Sequence, residues 1–218
     1  MLKKVELIGL TKPSSTTGCN SADELVAYTA RVSNPTNQNN NETAPKLLKY
    51  LIKNEHWSPF EMVSVQMSIT TTRDISRQII RHRSFSFQEF SQRYAEAPDQ
   101  TYNREARLQD PSNRQNSIEI DDDSTQVDWK KLQEHVGMES RQAYNEALKM
   151  GIAKEQARAL LPEGLTETTV IVSGSLRSWI HYCQLRKANG TQKEHREIAD
   201  RCWSIITGHF PSLANIFE

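Results

Sequence analysis

The sequence predicts an α+β fold, with helices packed on a central, mostly antiparallel sheet. Three observations carry the prediction. Val63, Val65, Met67 and Ile69 alternate with Ser64, Gln66, Ser68 and Thr70, the period-two pattern of a half-buried strand. Helical patterns lie on both sides of it, yet strands and helices never settle into a regular βαβ alternation. No Gly-x-Gly-x-x-Gly occurs, so the phosphate-binding turn of a doubly wound dinucleotide domain is missing.

Taken in order, Val5 to Leu10 reads as a first strand. Ser21-Ala22-Asp23-Glu24 is a capping box that opens a helix through Leu25, Val26 and Ala30. The Asn-rich stretch 34–41 is loop. A second helix starts near Thr43, with Pro45 in its first turn and Leu47, Leu48, Leu51 and Ile52 on one face. Pro59 breaks the chain at His56 to Glu61, because it pushes Ser58 out of helical geometry. After the alternating strand the period turns helical at Arg73, with Ile75 and Ile79 on one side and Arg73, Arg77 and Arg81 on another. A Ser/Phe loop follows. Residues 95–124 are polar with few apolar anchors and read as a surface excursion or flap. A long helix over 125–150 stops at Gly151, and a shorter one over 153–161 ends at Pro162. Thr168 to Val172 is β-branched and strand-like. Helices from Ser175 to Lys187, and from the box Thr191-Gln192-Lys193-Glu194 onward, close the chain, the last with Ile198, Cys202 and Ile205 facing inward.

At 218 residues the chain is long enough for one domain, 1–218, to bury a core without metal or disulfide support. Lys plus Arg and Asp plus Glu number 27 each, so no global field draws it to nucleic acid or anionic membrane. Any anion site has to be built locally. No apolar run approaches the ~20 residues of a membrane span. The opening MLKKVELIGL is charged too early for a secretory leader, so a cytoplasmic protein is expected. Cys19, Cys183 and Cys202 contain no Cys-x-x-Cys pair, so neither a disulfide framework nor a metal site is expected. Cys183 and Cys202, inside helical patterns, read as small buried hydrophobes.

The chemistry concentrates between Arg73 and Arg93. Five arginines (73, 77, 81, 83 and 93) and no lysine occur there, interleaved with Phe85, Phe87 and Phe90, with Tyr94 just beyond. Arginine's planar fork grips phosphate or carbonyl oxygens with paired bonds, which lysine cannot do. Two readings stand: a site for something anionic and flat, or an arginine network joining subunits through acids. A stacking platform for single-stranded nucleic acid is a third, against which zero net charge and the missing lysines weigh. A histidine phosphatase built on Arg81-His82 ranks last, since Arg83 stands where those enzymes want Gly. Arg177 and Arg186 share a helix, with His181 one turn from Arg177. Arg158, three residues after Glu155, reads alone as half of a surface pair, and His56 as a loop histidine.

Arg81-His82-Arg83, then seven residues and Ser91, resembles the signature of the flavin-dependent thymidylate synthases. The resemblance continues in order through Ala30-Arg31-Val32-Ser33, His56-Trp57-Ser58-Pro59-Phe60-Glu61, Ser76-Arg77-Gln78, Glu155-Gln156-Ala157-Arg158 with Leu161-Pro162, Arg177-Ser178, Leu185-Arg186 and Gln192-Lys193-Glu194. It implies an α+β enzyme that methylates dUMP to dTMP. The carbon comes from 5,10-methylenetetrahydrofolate and the hydride from reduced FAD, which NADPH or NADH reloads. It also implies a homotetramer whose sites combine neighbouring subunits, with no nucleic acid or membrane partner.

Carried over by position, His56, Ser58, Arg81, His82, Arg83, Glu89, Ser175, Leu176, Arg177 and His181 should contact flavin. Gln78, Arg81, Glu89, Phe90, Ser91, Arg93, Arg158 and Arg186 should surround dUMP. Some relatives carry Asn where Ser175, His181 and Gln88 stand, and His where Gly190 stands. No cysteine falls where the family pattern suggests a nucleophile, so Arg186 is expected to be catalytic, stabilising an anionic uracil ring. Ser91 reads as a hydrogen-bond donor, because an unassisted serine is a weak nucleophile and no base is its evident partner.

Overall fold

A computed structural model describes residues 4–99, 101–214 and 216–217. Position 100, within the polar excursion, and residues 1–3 of the N-terminal stretch lie outside the described residues. The sheet has the order β1-β2-β6-β3 and every neighbouring pair is antiparallel. Its strands are β1 (Lys4–Leu10), β2 (Ser64–Thr72), β3 (Ser86–Glu89) and β6 (Glu167–Ser175). The helices are α1 (Ala22–Ala30), α2 (Ala44–Lys53), α3 (Arg73–Ile79), α4 (Asp123–Lys149), α5 (Lys154–Ala157), α6 (Leu176–Lys187) and α7 (Lys193–His209). A small hairpin, β4 (Arg107–Gln109) and β5 (Ser117–Glu119), stands apart from the sheet. The mixed, antiparallel architecture is the predicted one.

Alternation builds the core. Val65, Met67 and Ile69 of β2 and Val170 and Val172 of β6 are buried on one face of the sheet. They pack with Leu48 and Leu51 of α2, Leu176, Trp179 and Ile180 of α6 and Ile198 and Cys202 of α7. Two bonds fasten α6 to β2 and the residue just before it: the Leu176 N–H donates to the Val63 carbonyl at 2.8 Å and the Trp179 indole to the Val65 carbonyl at 3.0 Å. On the opposite face, polar side chains pair across strands, as Thr70 and Thr169 do at 3.0 Å. Cys183 and Cys202 are buried, as expected of small hydrophobes. Among the described residues no helix is long and apolar enough to cross a membrane.

Two terminus signals form as read. Ser21 accepts the Glu24 N–H at 3.2 Å, while the Glu24 carboxylate reaches back to the Asn20 N–H at 2.6 Å. Gly151 takes φ 82° past the end of α4, letting its N–H reach the Leu148 carbonyl and that of Ile152 the Ala147 carbonyl, each at 3.0 Å. The box expected at Thr191 does not form. Gln192 caps α7 without a side-chain bond, and the Glu194 carboxylate turns to Arg107 instead.

The excursion is also different from expectation: it is strapped down. The Tyr102 N–H bonds the Leu165 carbonyl, and Arg104 pairs with Asp74 at 2.6 Å. Gln126 and Gln133 on α4 each bracket one of its residues, taking the N–H and giving to the C=O of Ala106 and of Arg104, at 2.8 to 3.0 Å. The hairpin's Arg107 reaches both oxygens of Glu194, at 2.7 and 2.8 Å. The Ser/Phe loop likewise hides a strand, β3, whose four residues are too few for period two to stand out.

Gly174 shows how tightly β6 is packed against that segment. An added Cβ would sit 2.3 Å from Cδ1 of Phe85, a buried ring 4.7 Å from Trp179. Gly174→Ala is therefore expected to lower stability by about 1–3 kcal/mol, or several degrees in Tm, read by thermal unfolding.

Candidate active site

The five arginines separate by partner. Arg73 Nη1 lies 3.7 Å from the Glu89 carboxylate, Arg77 Nε gives to both oxygens of Glu163 at 2.8 Å, and Arg93 Nε lies 3.3 Å from Glu155. Arg81 and Arg83 are exposed and meet no acid among the described residues. An acid network thus accounts for three of the five, all within one chain, and leaves two guanidinium forks unspent. Arg158 makes no pair with the Glu155 carboxylate. Its Nε donates to the Glu155 carbonyl at 3.2 Å, and the carboxylate belongs to Arg93.

Arg186 and His82 come together from α6 and the turn after α3. Arg186 Nε donates to His82 Nε2 at 2.9 Å, so that nitrogen is an acceptor and the ring proton sits on Nδ1. The imidazole stands edge-on to Tyr182, ring centres 4.9 Å apart. Burial first, and the Arg186 charge second, hold His82 down at about 4. Arg186 spends only Nε, and its two terminal nitrogens take no protein partner among the described residues. His195 is lowered to about 3, by burial first and then by the charges of Arg186 and His82.

A native pKa below the unfolded value means that acid protonates the unfolded state first. Stability from both histidines is therefore intact above pH 6.5 and is lost as pH falls through about 4 for His82 and about 3 for His195. Titration by NMR should show the His82 ring flat from pH 8 to 5; a midpoint near 6.5 would remove this assignment.

A recess of about 350 Å³ is lined by Glu61, Ser84, Ser175, Arg177, Ser178 and His181. Ser175 caps α6, accepting the Ser178 N–H at 3.3 Å, which fixes the direction in which the helix start points. Hydrogen bonds from Ser175, then from Arg177 at 2.6 Å, hold the Glu61 carboxyl below its usual range. The His181 ring meets Trp57 edge-on at 4.5 Å; burial first, then the Arg177 charge, lower its pKa. His56 and Ser58 lie on the exposed segment leading to this region. Leu176 is different: its side chain is in the core and its N–H is spent on Val63, so it offers no side-chain surface to a ligand.

The remaining predicted residues lie at the end of β3, just beyond it, and on α3. Glu89 accepts the Thr168 hydroxyl at 3.0 Å, and Phe90 is held by its N–H to the Thr169 carbonyl at 2.9 Å. Among the described residues Ser91 Oγ accepts only the Arg93 N–H, at 3.4 Å, with no base bonded to it. Gln78, on α3, is engaged on both sides, by His195 at 3.2 Å and Gln192 at 2.8 Å. A larger cavity, about 600 Å³, lies between the β4–β5 hairpin and the start of α7, and none of the predicted ligand residues lines it.

Sequence reading missed Tyr182, His195 and Arg107, and it took Glu194 for a helix cap. No local pattern marks them, because they meet across separations of up to 117 residues.

Comparison with known proteins bears on the family and the fold. The family model described as "Thymidylate synthase complementing protein" matches residues 15–212. The probable flavin-dependent thymidylate synthase of Paramecium bursaria Chlorella virus 1 is 49% identical over 213 residues, 98% of each chain. The flavin-dependent thymidylate synthase of Synechocystis is 50% identical over 217 residues, 98% of this chain and 99% of its own. Among solved structures, the UMP/dUMP methylase PolB of Streptomyces cacaoi, bound with 5-Br dUMP, superposes with a TM-score of 0.83 at 26% identity, covering 99% of this chain and 94% of its own.

Proposed function

This chain belongs to the flavin-dependent thymidylate synthase family, and on that premise we propose that it methylates dUMP to dTMP. We further propose FAD as its flavin, 5,10-methylenetetrahydrofolate as carbon donor and NADPH or NADH as reductant. The observation that carries the reading is Arg186, whose Nε is spent on a neutral histidine and whose terminal nitrogens stay open. A fork held in that way can meet a uracil carbonyl and its adjacent ring nitrogen with two bonds. It thereby stabilises the ring anion and raises electron density at the carbon to be methylated.

The donor set fits a flavin dinucleotide. Arg81 and Arg83, without acids of their own, suit a pyrophosphate, and the recess formed by Ser175, Arg177 and His181 offers donors beside it. When bound, the reduced flavin supplies the hydride that completes the methyl group. The residues around it bind, orient and hold protons: His82 stays neutral, accepting at Nε2. Burial keeps the Cys183 and Cys202 thiols protonated, with pKa values far above their ordinary range. Neither is then a thiolate nucleophile.

The site is proposed to be shared within a homotetramer, the whole chain, 1–218, acting as one domain. In support, Arg81, Arg83 and Arg93 are exposed on a single copy, and α4 leaves Trp129, Leu132 and Val136 exposed on one stripe beside its buried seam. Three free cysteines suit a cytoplasmic setting.

A visible spectrum tests the function. The purified protein should be yellow and should bleach with NADPH under anaerobic conditions; a colourless protein unable to take up FAD would end the proposal. Ser91→Ala should keep measurable dTMP formation, since no base activates that hydroxyl. Complete inactivity with dUMP still bound would make Ser91 a nucleophile.

A further inference from the structure

A chain of buried and half-buried polar groups runs from the centre of α6 to the β4–β5 hairpin. Tyr182 Oη lies 3.0 Å from His195 Nε2, and His195 Nδ1 lies 3.2 Å from Gln78 Oε1. Gln78 Nε2 gives to Gln192 Oε1 at 2.8 Å, and Gln192 Nε2 gives to Glu194 Oε2 at 2.9 Å. Arg107 closes the chain on the same carboxylate at 2.8 Å. His195 is wholly buried, and Tyr182 and Glu194 are 2% and 3% exposed.

The direction of every bond follows from one group. An ionised carboxylate can only accept, so the Gln192 amide must turn its NH₂ to Glu194 and its oxygen to Gln78. Gln78 must then present NH₂ to Gln192 and oxygen to His195. His195 therefore carries its proton on Nδ1, and its Nε2 accepts from the Tyr182 hydroxyl. A single reversed amide would set two donors or two acceptors face to face among half-buried and buried groups.

We propose that Glu194 is a positioning residue which, through Gln192, fixes the amide orientation of Gln78 at the substrate site and the tautomer of His195. The inference rests on the proposed function and on the placement of Gln78 beside dUMP that the family resemblance implies. Gln78 spends one N–H and one lone pair on the chain and keeps one of each. That remaining pair matches the alternating carbonyl and N–H of a uracil edge in one orientation only. Arg107 makes the hairpin part of the device, because it is the cation that keeps Glu194 ionised.

The test uses the FAD-loaded full chain. Nitrogen-15 NMR of the histidine rings should show His195 protonated at Nδ1 in the wild type; protonation at Nε2 overturns the inference at once. In Glu194→Gln the chain can run in either direction, so part of His195 should shift to the Nε2–H form. The dissociation constant for dUMP should rise about tenfold, the cost of one misdirected hydrogen bond, with FAD affinity unchanged. Gln192→Leu cuts the chain without stripping Arg107 of its partner, and the same loss is expected should Glu194→Gln not fold.

In a Gln78→Leu background, either change should cost no further dUMP affinity; an undiminished second loss would mean that Glu194 acts by another route. Unaltered dUMP binding in Gln78→Leu itself, with the His195 tautomer as assigned, would overturn the placement of Gln78 at the substrate and with it the functional half of the inference.

Discussion

Arg186→Ala should cut dTMP formation by about a thousandfold while the protein keeps its yellow flavin. Removing one preorganised donor from a developing anion costs about 2.7–4 kcal/mol in a water-poor site. His82 stays neutral, with its pKa at about 4, and the Arg186 charge is the second cause of that shift. It therefore cannot substitute. Arg186→Lys restores charge without the fork and should recover only part of the rate. Arg186→Ala also has a spectroscopic signature. With one lowering cause gone, the His82 pKa should rise, while burial still keeps it below its ordinary value. Near-normal turnover in Arg186→Ala, measured as dTMP formed per flavin, would remove Arg186 from the chemistry.

Arg107→Met is expected to be the most destabilising of these changes. The Arg107 side chain is 10% exposed and that of Glu194 3%, with two bonds between them at 2.7 and 2.8 Å. Taking away one member strands the other charge in the interior, at a cost of about 3–5 kcal/mol. Burial pushes the Glu194 carboxyl up, but the bonds and charge of Arg107 outweigh it, and its pKa is lowered on balance. A carboxylate lowered in the folded state contributes stability above its unfolded pKa and loses it as pH falls through the folded value. Urea unfolding should accordingly show the gap between wild type and Arg107→Met widest at neutral pH and closing in acid. A gap that ignores pH, or stays under about 1 kcal/mol, would reduce the pair to an ordinary surface contact.

Periodic elements were legible because they advertise themselves over many residues. The alternation of Val63 to Thr70 and the glycine stop at 151 needed no partner to be recognised. Strand β3 and the β4–β5 hairpin offered three or four residues each, too few for a period, and their strand character comes from neighbours: β6 in one case, the opposing arm in the other. The polar stretch around them looked like a free excursion because the side chains that hold Arg104, Ala106 and Arg107 stand 20 to 87 residues away in the chain.

The arginine-rich segment divides along the same line. That guanidinium forks were chosen over lysines, and that aromatic rings were set among them, is written in the order of residues from Arg73 to Tyr94, and so is the family to which the chain belongs. Which forks remain open was decided only in three dimensions. Glu163 closes Arg77, Glu155 closes Arg93, and among the described residues no acid closes Arg81 or Arg83. Likewise, His82 could be named from the motif, but its neutrality comes from burial and from a guanidinium 104 residues away. Residue type and spacing specify which interactions a chain is able to make; desolvation and long-range pairing, which exist only after folding, select among them.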